Sequence, residues 1–287
     1  MNRILTLLFS LFFSAFSVAS PQVWQAQKGD LTFTIMGSVH AGKPAFYPLP
    51  NVMVDRFETS DGLIVEADII NDKSITVPNG YPASSYLDKD QTRKLEKIAA
   101  GTNVPATKLL NLPPWQAAMA LQLYQINQIG LQQALGVDLF FLSHTQKLGI
   151  PVLPLETVQQ QVDLLAKAPK DGLELLTDTI DYWTFSKTFM PCLIEAWQVG
   201  DDDKMTEMVN LINGAGEFER KLIDERNHNW LKALADPNRF SMGNYAMVVG
   251  ALHLYGEQGL LTLLESAGFE VTLLTQGKEV SCELPTL

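Results

Sequence analysis

Four apolar, β-branched runs, two near each end of the chain, limit the possible folds most strongly. They are "LTFTIM" at 31–36, "GLIVEADI" at 62–69, "NYAMVVG" at 244–250 and "FEVTLL" at 269–274. Nearly continuous apolar runs suit central strands covered on both faces. From Leu87 to about Ala235 the spacing is mostly helical, with turn signals at "LPP" (112–114), "LGIP" (148–151) and "APKDG" (168–172). Only "IPVLPLE" in that stretch reads as a further strand. The expectation is an α/β fold: a central mixed or parallel sheet built from both chain ends, with a large helical insertion at about 87–235 beside it. Trp115, Met119, Gln122 and Ile126, and likewise Val137, Phe141 and Leu148 with one gap, are read as core stripes of amphipathic helices. "TVPNGYPASS" at 76–85 is the expected mobile loop between the two parts.

The first nineteen residues read as an address. Arg3 supplies a positive start, "ILTLLFSLFFSAF" an apolar centre and "SVAS" a small-residue exit. A signal peptide over 1–19 and one α/β domain over 20–287 follow, in an exported protein that is periplasmic or secreted. No later run approaches the roughly 20 apolar residues that a membrane span needs. The net charge of −11, with no basic cluster interleaved with aromatics, argues against nucleic acid as a partner. Export also favours a bridge between the two cysteines, Cys192 and Cys282.

The first and third runs end alike, in Gly37-Ser38-Val39-His40 and Gly250-Ala251-Leu252-His253. Ligands of open α/β sheets gather beyond the carboxyl ends of strands. Glycine there allows a sharp turn or a close approach. Two neutral imidazoles and one carboxylate make a divalent-metal ligand set with an open position. Glu66, at the end of the second run, is the first candidate for the acid, and Glu156 repeats the pattern at the end of "IPVLPLE". Glu156-Thr157 also suits a helix start. Phe218, Leu222, Arg226 and Trp230 recur at i+4, which turns Arg226 inward, where it needs an anionic partner. That partner is Glu66, Glu156 or a substrate carboxylate, and Asn227 stands next to it as a further hydrogen-bonding group. Helical rotation turns His228 outward, His144 reads as a core or boundary residue, and "GDDDK" at 200–204 reads as a solvated helix start. No HExxH, GxSxG or GxxxxGK[ST] occurs.

With "MGSVH", "IVEAD", "GVDLFFLSHTQKLGIPVLPLET", "ERNHNWL" and "MVVGALHLYGEQGLLTLLESAGFEV", the chain resembles the TraB/GumN family, related to the Tiki metalloproteases that act on Wnt proteins. The resemblance implies a metal-dependent hydrolase centred on His40, His253 and Glu66. Ser38 replaces the threonine often found after the first glycine and keeps its hydroxyl. The expected activity is peptide or protein cleavage with a divalent ion (Mn, Co or Zn). Glu66, Glu156 and Arg226 are the catalytic candidates, and whichever glutamate does not bind the ion is the base. The alternatives are a protein that sequesters a peptide, metal or haem, and a metal-dependent esterase.

Overall fold

The apolar runs from the two ends of the chain do meet in one sheet. The computed structural model describes residues 20–213 and 217–284, so the expected signal segment 1–19 lies outside the described residues. The described residues form six strands: β1 (Val23–Lys28), β2 (Leu31–Ser38), β3 (Gly62–Val65), β4 (Val152–Pro154), β5 (Gly243–Gly250) and β6 (Glu270–Leu273). They lie in the order β4-β3-β5-β2-β1-β6. The four strands from β4 to β2 are parallel, whereas β1 runs antiparallel to both β2 and β6, so the sheet is mixed.

Register carries the fold's main functional consequence. Ser38 pairs with Gly250, and Val65 pairs with both Val248 and Pro154. The parallel strands therefore end together, and the residues just after them emerge along one sheet edge. β2, β3 and the second half of β5 are buried as their composition requires. "FEVTLL" departs from expectation: β6 is a largely exposed edge strand, because it pairs only with β1. β1 was not anticipated, since "VWQAQK" alternates weakly and carries three polar residues.

Around the sheet lie α1 (Asn51–Glu58), α2 (Lys89–Ala100), α3 (Ala106–Asn111), α4 (Pro114–Gln128), α5 (Val137–Leu148), α6 (Val158–Ala166), α7 (Pro169–Asp181) and α8 (Trp183–Val199). After them come α9 (Asp202–Asn213), α10 (Glu217–Leu222), α11 (Asp224–Leu234) and α12 (Leu260–Ser266). The helices of the 87–235 stretch divide between two apolar clusters. Phe141 of α5, Trp197 of α8 and Trp230 of α11 join the sheet core with Phe33, Ile35 and Met247. Leu95, Leu109, Leu121 and Leu176 of α2, α3, α4 and α7 form a second cluster. Among the described residues, no helix is long and apolar enough to cross a membrane.

Several local expectations need correction. On α4 the fully buried residues are Pro114, Ala117, Ala118 and Leu121; of the expected stripe Met119 is exposed, Ile126 is half-buried against the sheet core, and Trp115 and Gln122 are half-buried, Gln122 bonding Thr179 of α7. The small Ala117 and Ala118 allow α4 to pack closely on α7, where Trp115 also meets Gly172. On α5, Val137 and Phe141 are buried as expected, but Leu148 at the helix end is exposed. Asp201 is buried rather than solvated, because it accepts from both Lys204 N at the start of α9 and Val280 N of the C-terminal tail. The 76–85 loop is irregular for most of its length and is held by hydrogen bonds from Thr76 N to Gln159 and from Tyr81 N to Asp171. Cys192 and Cys282 form a disulfide that ties this tail to α8.

Candidate functional site

Beyond the carboxyl ends of β2, β3, β4 and β5, the chain brings His40, Glu66, Glu156 and His253 to the same edge, and α11 closes over them with Arg226 and Asn227. Gly250 is the point of closest approach. A Cβ there would stand 2.9 Å from Glu66 Oε1, 3.4 Å from His253 Cδ2 and 3.9 Å from His40 Nε2. Gly37 has the same role one strand away, where a Cβ would come within 2.8 Å of the Ala251 backbone. Both glycines thus permit the convergence, and neither needs a positive φ to do so.

Each acceptor is held from behind. Gly250 N donates to Glu66 Oε1 at 2.7 Å. Asn227 Nδ2 donates to the carbonyls of His253 and Gln258, so its Oδ1 accepts, and it receives His253 Nδ1–H at 2.7 Å. This fixes a tautomer with a bare Nε2. His40 Nδ1 donates to Asp138 Oδ2 at 2.8 Å, which turns His40 Nε2 toward the glycine cradle. The buried Trp230 ring lies tilted against His253 at 4.4 Å between ring centres, and the Arg226 guanidinium carbon is 4.7 Å from its centre.

Arg226 joins the acids. Its NH2 donates to Glu66 and Glu156, its Nε to Glu156, and its NH1 to Leu222 O and His253 Nε2. All the N–H groups of the guanidinium are therefore engaged. Gln161 bridges Glu66 and Glu156 at 3.2 and 2.9 Å. Thr157, rather than Glu156, supplies the side-chain cap of α6. A cavity of about 330 Å³ opens on this edge, lined by Ser38, His40, Glu66, Met119, Asp138 and Gln161 among others. Glu156 and Arg226 stand behind that lining. Ser38 Oγ and Asp138 Oδ1 are buried there with no partner among the described residues.

Ser38, whose retained hydroxyl the family resemblance marked, joins the site together with Asp138 and Gln161, neither of which the sequence pointed to as a working group. Asp138 reads as an ordinary acid in a helix's first turn, and Gln161 as one of three consecutive glutamines. His228 is exposed and meets Gln258, while His144 is half-buried against Phe140, so neither enters the site.

The environment separates the titrations. Burial alone would raise the Glu66 pKa, but the neighbouring His253, Arg226 and His40 and the Gly250 N–H bring it down to about 2. Burial is also the main cause that lowers His253 to about 3, against the pull of Glu66. Asp138 raises His40 to about 9 through their hydrogen bond, although much of the imidazole faces solvent. Signs follow by linkage. Glu66 contributes stability above its unfolded value of 4.5, lost as pH falls toward 2. His253, neutral when folded, contributes above 6.5 and loses this between 6.5 and 3. His40 contributes below 6.5 and loses this as pH rises through 9. Metal-free protein should therefore lose a few kcal/mol on the acid side, at ~1.4 kcal/mol per shifted unit. Denaturant unfolding across pH checks this. His253→Gln should flatten the limb between 6.5 and 4.5, and an unchanged limb would refute the assignment.

The donors suit a divalent ion in kind once His40, protonated below about pH 9, gives up its Nε2 proton: two imidazole nitrogens backed by Asp138 and Asn227, and a carboxylate that stays ionised. Among the described residues, however, no three such side chains already form a metal-binding group. Arg226 instead occupies His253 Nε2 and Glu66 Oε2. Comparison with known proteins gives a consistent assignment. The Escherichia coli (strain K12) protein named "Uncharacterized protein YbaP" is 29% identical over 239 residues, covering 82% of this chain and 89% of the relative. Its Shigella flexneri namesake is 29% identical over 233 residues, covering 80% and 86%. No solved structure matches. The TraB/PrgY/gumN family model matches residues 22–273, from the first sheet strand to the last and through both Gly-x-x-His turns, and the chain belongs to that family.

Proposed function

We propose that the protein is an exported metal-dependent hydrolase that cleaves peptide bonds at the edge where β2, β3 and β5 end. The observation that carries this reading is the cradle around Gly250, where His40 Nε2, His253 Cδ2 and Glu66 Oε1 all lie within 4 Å of the place a Cβ would take, His40 and Glu66 lining the cavity and His253 buried beside them. His40, His253 and Glu66 would hold a divalent ion such as Mn, Co or Zn, which supplies Lewis-acid polarisation and an activated water when bound. Glu66, with a pKa near 2, stays an anion and does not act as the base. Asp138 Oδ1 is an acceptor without a partner on the cavity wall and can hold the proton that water gives up. Ser38 Oγ is the free donor available to a developing oxyanion. Arg226, with its N–H groups engaged, keeps Glu66 charged and holds both glutamates in place; Glu156, outside the lining, serves as its counter-ion.

Cleavage of a peptide library tests this. His40→Ala and His253→Ala should each lower kcat/KM by about 10³-fold or more, Ser38→Ala by about 10²-fold and Asp138→Asn by about 10- to 100-fold. Chelation should abolish activity and added metal restore it. Full activity in chelator would remove the metal and favour a second reading, for which the Arg226 contact with His253 Nε2 speaks. In that reading Arg226 is the site's resident cation and the His40–Asp138 pair handles the proton. Unchanged activity in both histidine variants would end both readings.

A further inference from the structure

The face of α4 that carries Met119 and Ile126 continues beyond the Glu66 cavity. Met119 lines that cavity, whereas Gln122, Gln125 and Ile126 line a second one of about 320 Å³. Its other walls include Leu175 of α7 and Phe185 and Phe189 of α8. Leu175 packs with the helical cluster and Phe189 belongs to the sheet core, so this cavity lies on the seam between the two. Gln122 and Gln125 each donate one amide N–H, to Thr179 Oγ1 and Trp183 O, and the wall is mainly apolar with Asp178 and Ser186 among its polar members. Met119 and Ile126 are seven residues apart on one helical face, about 10 Å along the axis at ~1.5 Å per residue. An extended peptide advances ~3.3 Å per residue, so about three residues of substrate span that distance.

We propose that the seam is a specificity subsite for an aliphatic or aromatic side chain of a polypeptide substrate, about three residues from the bond held at the Glu66 cavity. This deepens the peptidase reading and rests on it. Its occupant is the substrate chain itself, because the same α4 face walls both cavities. A small ester would fill the first cavity without reaching the second.

The test walks one leucine or phenylalanine through otherwise Gly/Ala-rich peptides and reads kcat/KM. Binding of the same peptides is measured by fluorescence anisotropy on chelator-treated protein. The expected result is a 10- to 100-fold preference for the apolar residue about three positions from the cleaved bond. Ile126→Gln on α4 and, separately, Phe185→Ser on α8 should reduce that preference to less than about 3-fold, with thermal unfolding confirming that each variant is folded. Cleavage with no positional preference would overturn the subsite and leave the peptidase reading standing. If no peptide is cleaved but apolar peptides still bind preferentially, and both variants lose this, the subsite stands and the peptidase reading falls. Neither cleavage nor preferential binding would overturn both.

Discussion

Arg226→Met should lower the unfolding free energy by about 3–5 kcal/mol, the usual cost of leaving a buried charge without its partner. Two carboxylates depend on this one guanidinium: Glu66 and Glu156 side chains are 10% and 11% exposed, and Arg226 itself only 15%. Methionine keeps much of the stem and its packing on Trp230, so the loss reports charge rather than volume. Combining Arg226→Met with Glu66→Gln and Glu156→Gln should recover most of the stability, because the desolvated charges then disappear together. Denaturant unfolding of the single and triple variants near neutral pH decides the matter. A loss below about 1 kcal/mol for the single variant would place the cluster in effectively aqueous surroundings.

Removing the disulfide should have an effect of similar size. Cys192 and Cys282 close a loop with a sequence separation of 90, for which the chain-entropy estimate is about 4–5 kcal/mol. The bridge reinforces a tail already attached by Leu274 N to Val23 O, Lys278 N to Val199 O and Val280 N to Asp201. Cys192→Ala/Cys282→Ala should thus remain folded near neutral pH but unfold at clearly lower denaturant, and reduced wild-type protein should match it. Equal midpoints for oxidised and reduced wild type would contradict the assignment.

Sheet membership and the site's centre were legible in the sequence because both rest on local pattern. Apolar strands ending in Gly-x-x-His or an acid place their next residues at one edge once the strands are parallel and in register. The inward turn of Arg226 was legible for the same reason, from its i+4 spacing. What escaped depends on contacts across long separations. Asp138 meets His40 across 98 positions and Gln161 meets Glu66 across 95, and neither has any local mark of that role. The α4 stripe misled because size was read as burial. Ala117 and Ala118 make the tighter contact, whereas Met119 and Ile126 line the cavities. β6 misled because an apolar run does not reveal whether a further strand lies beyond it.

The central claim is that two Gly-x-x-His turns and Glu66, brought together from positions as far apart as His40 and His253, bind one ion. Calorimetric titration of chelator-treated residues 20–287 with Mn²⁺, Co²⁺ or Zn²⁺ tests it most directly. The expected result is one ion per wild-type chain, with His40→Ala, His253→Ala and Glu66→Gln each weakening binding by about 100-fold or more. Wild-type affinity in either histidine variant, or no binding by the folded wild-type protein, would contradict it.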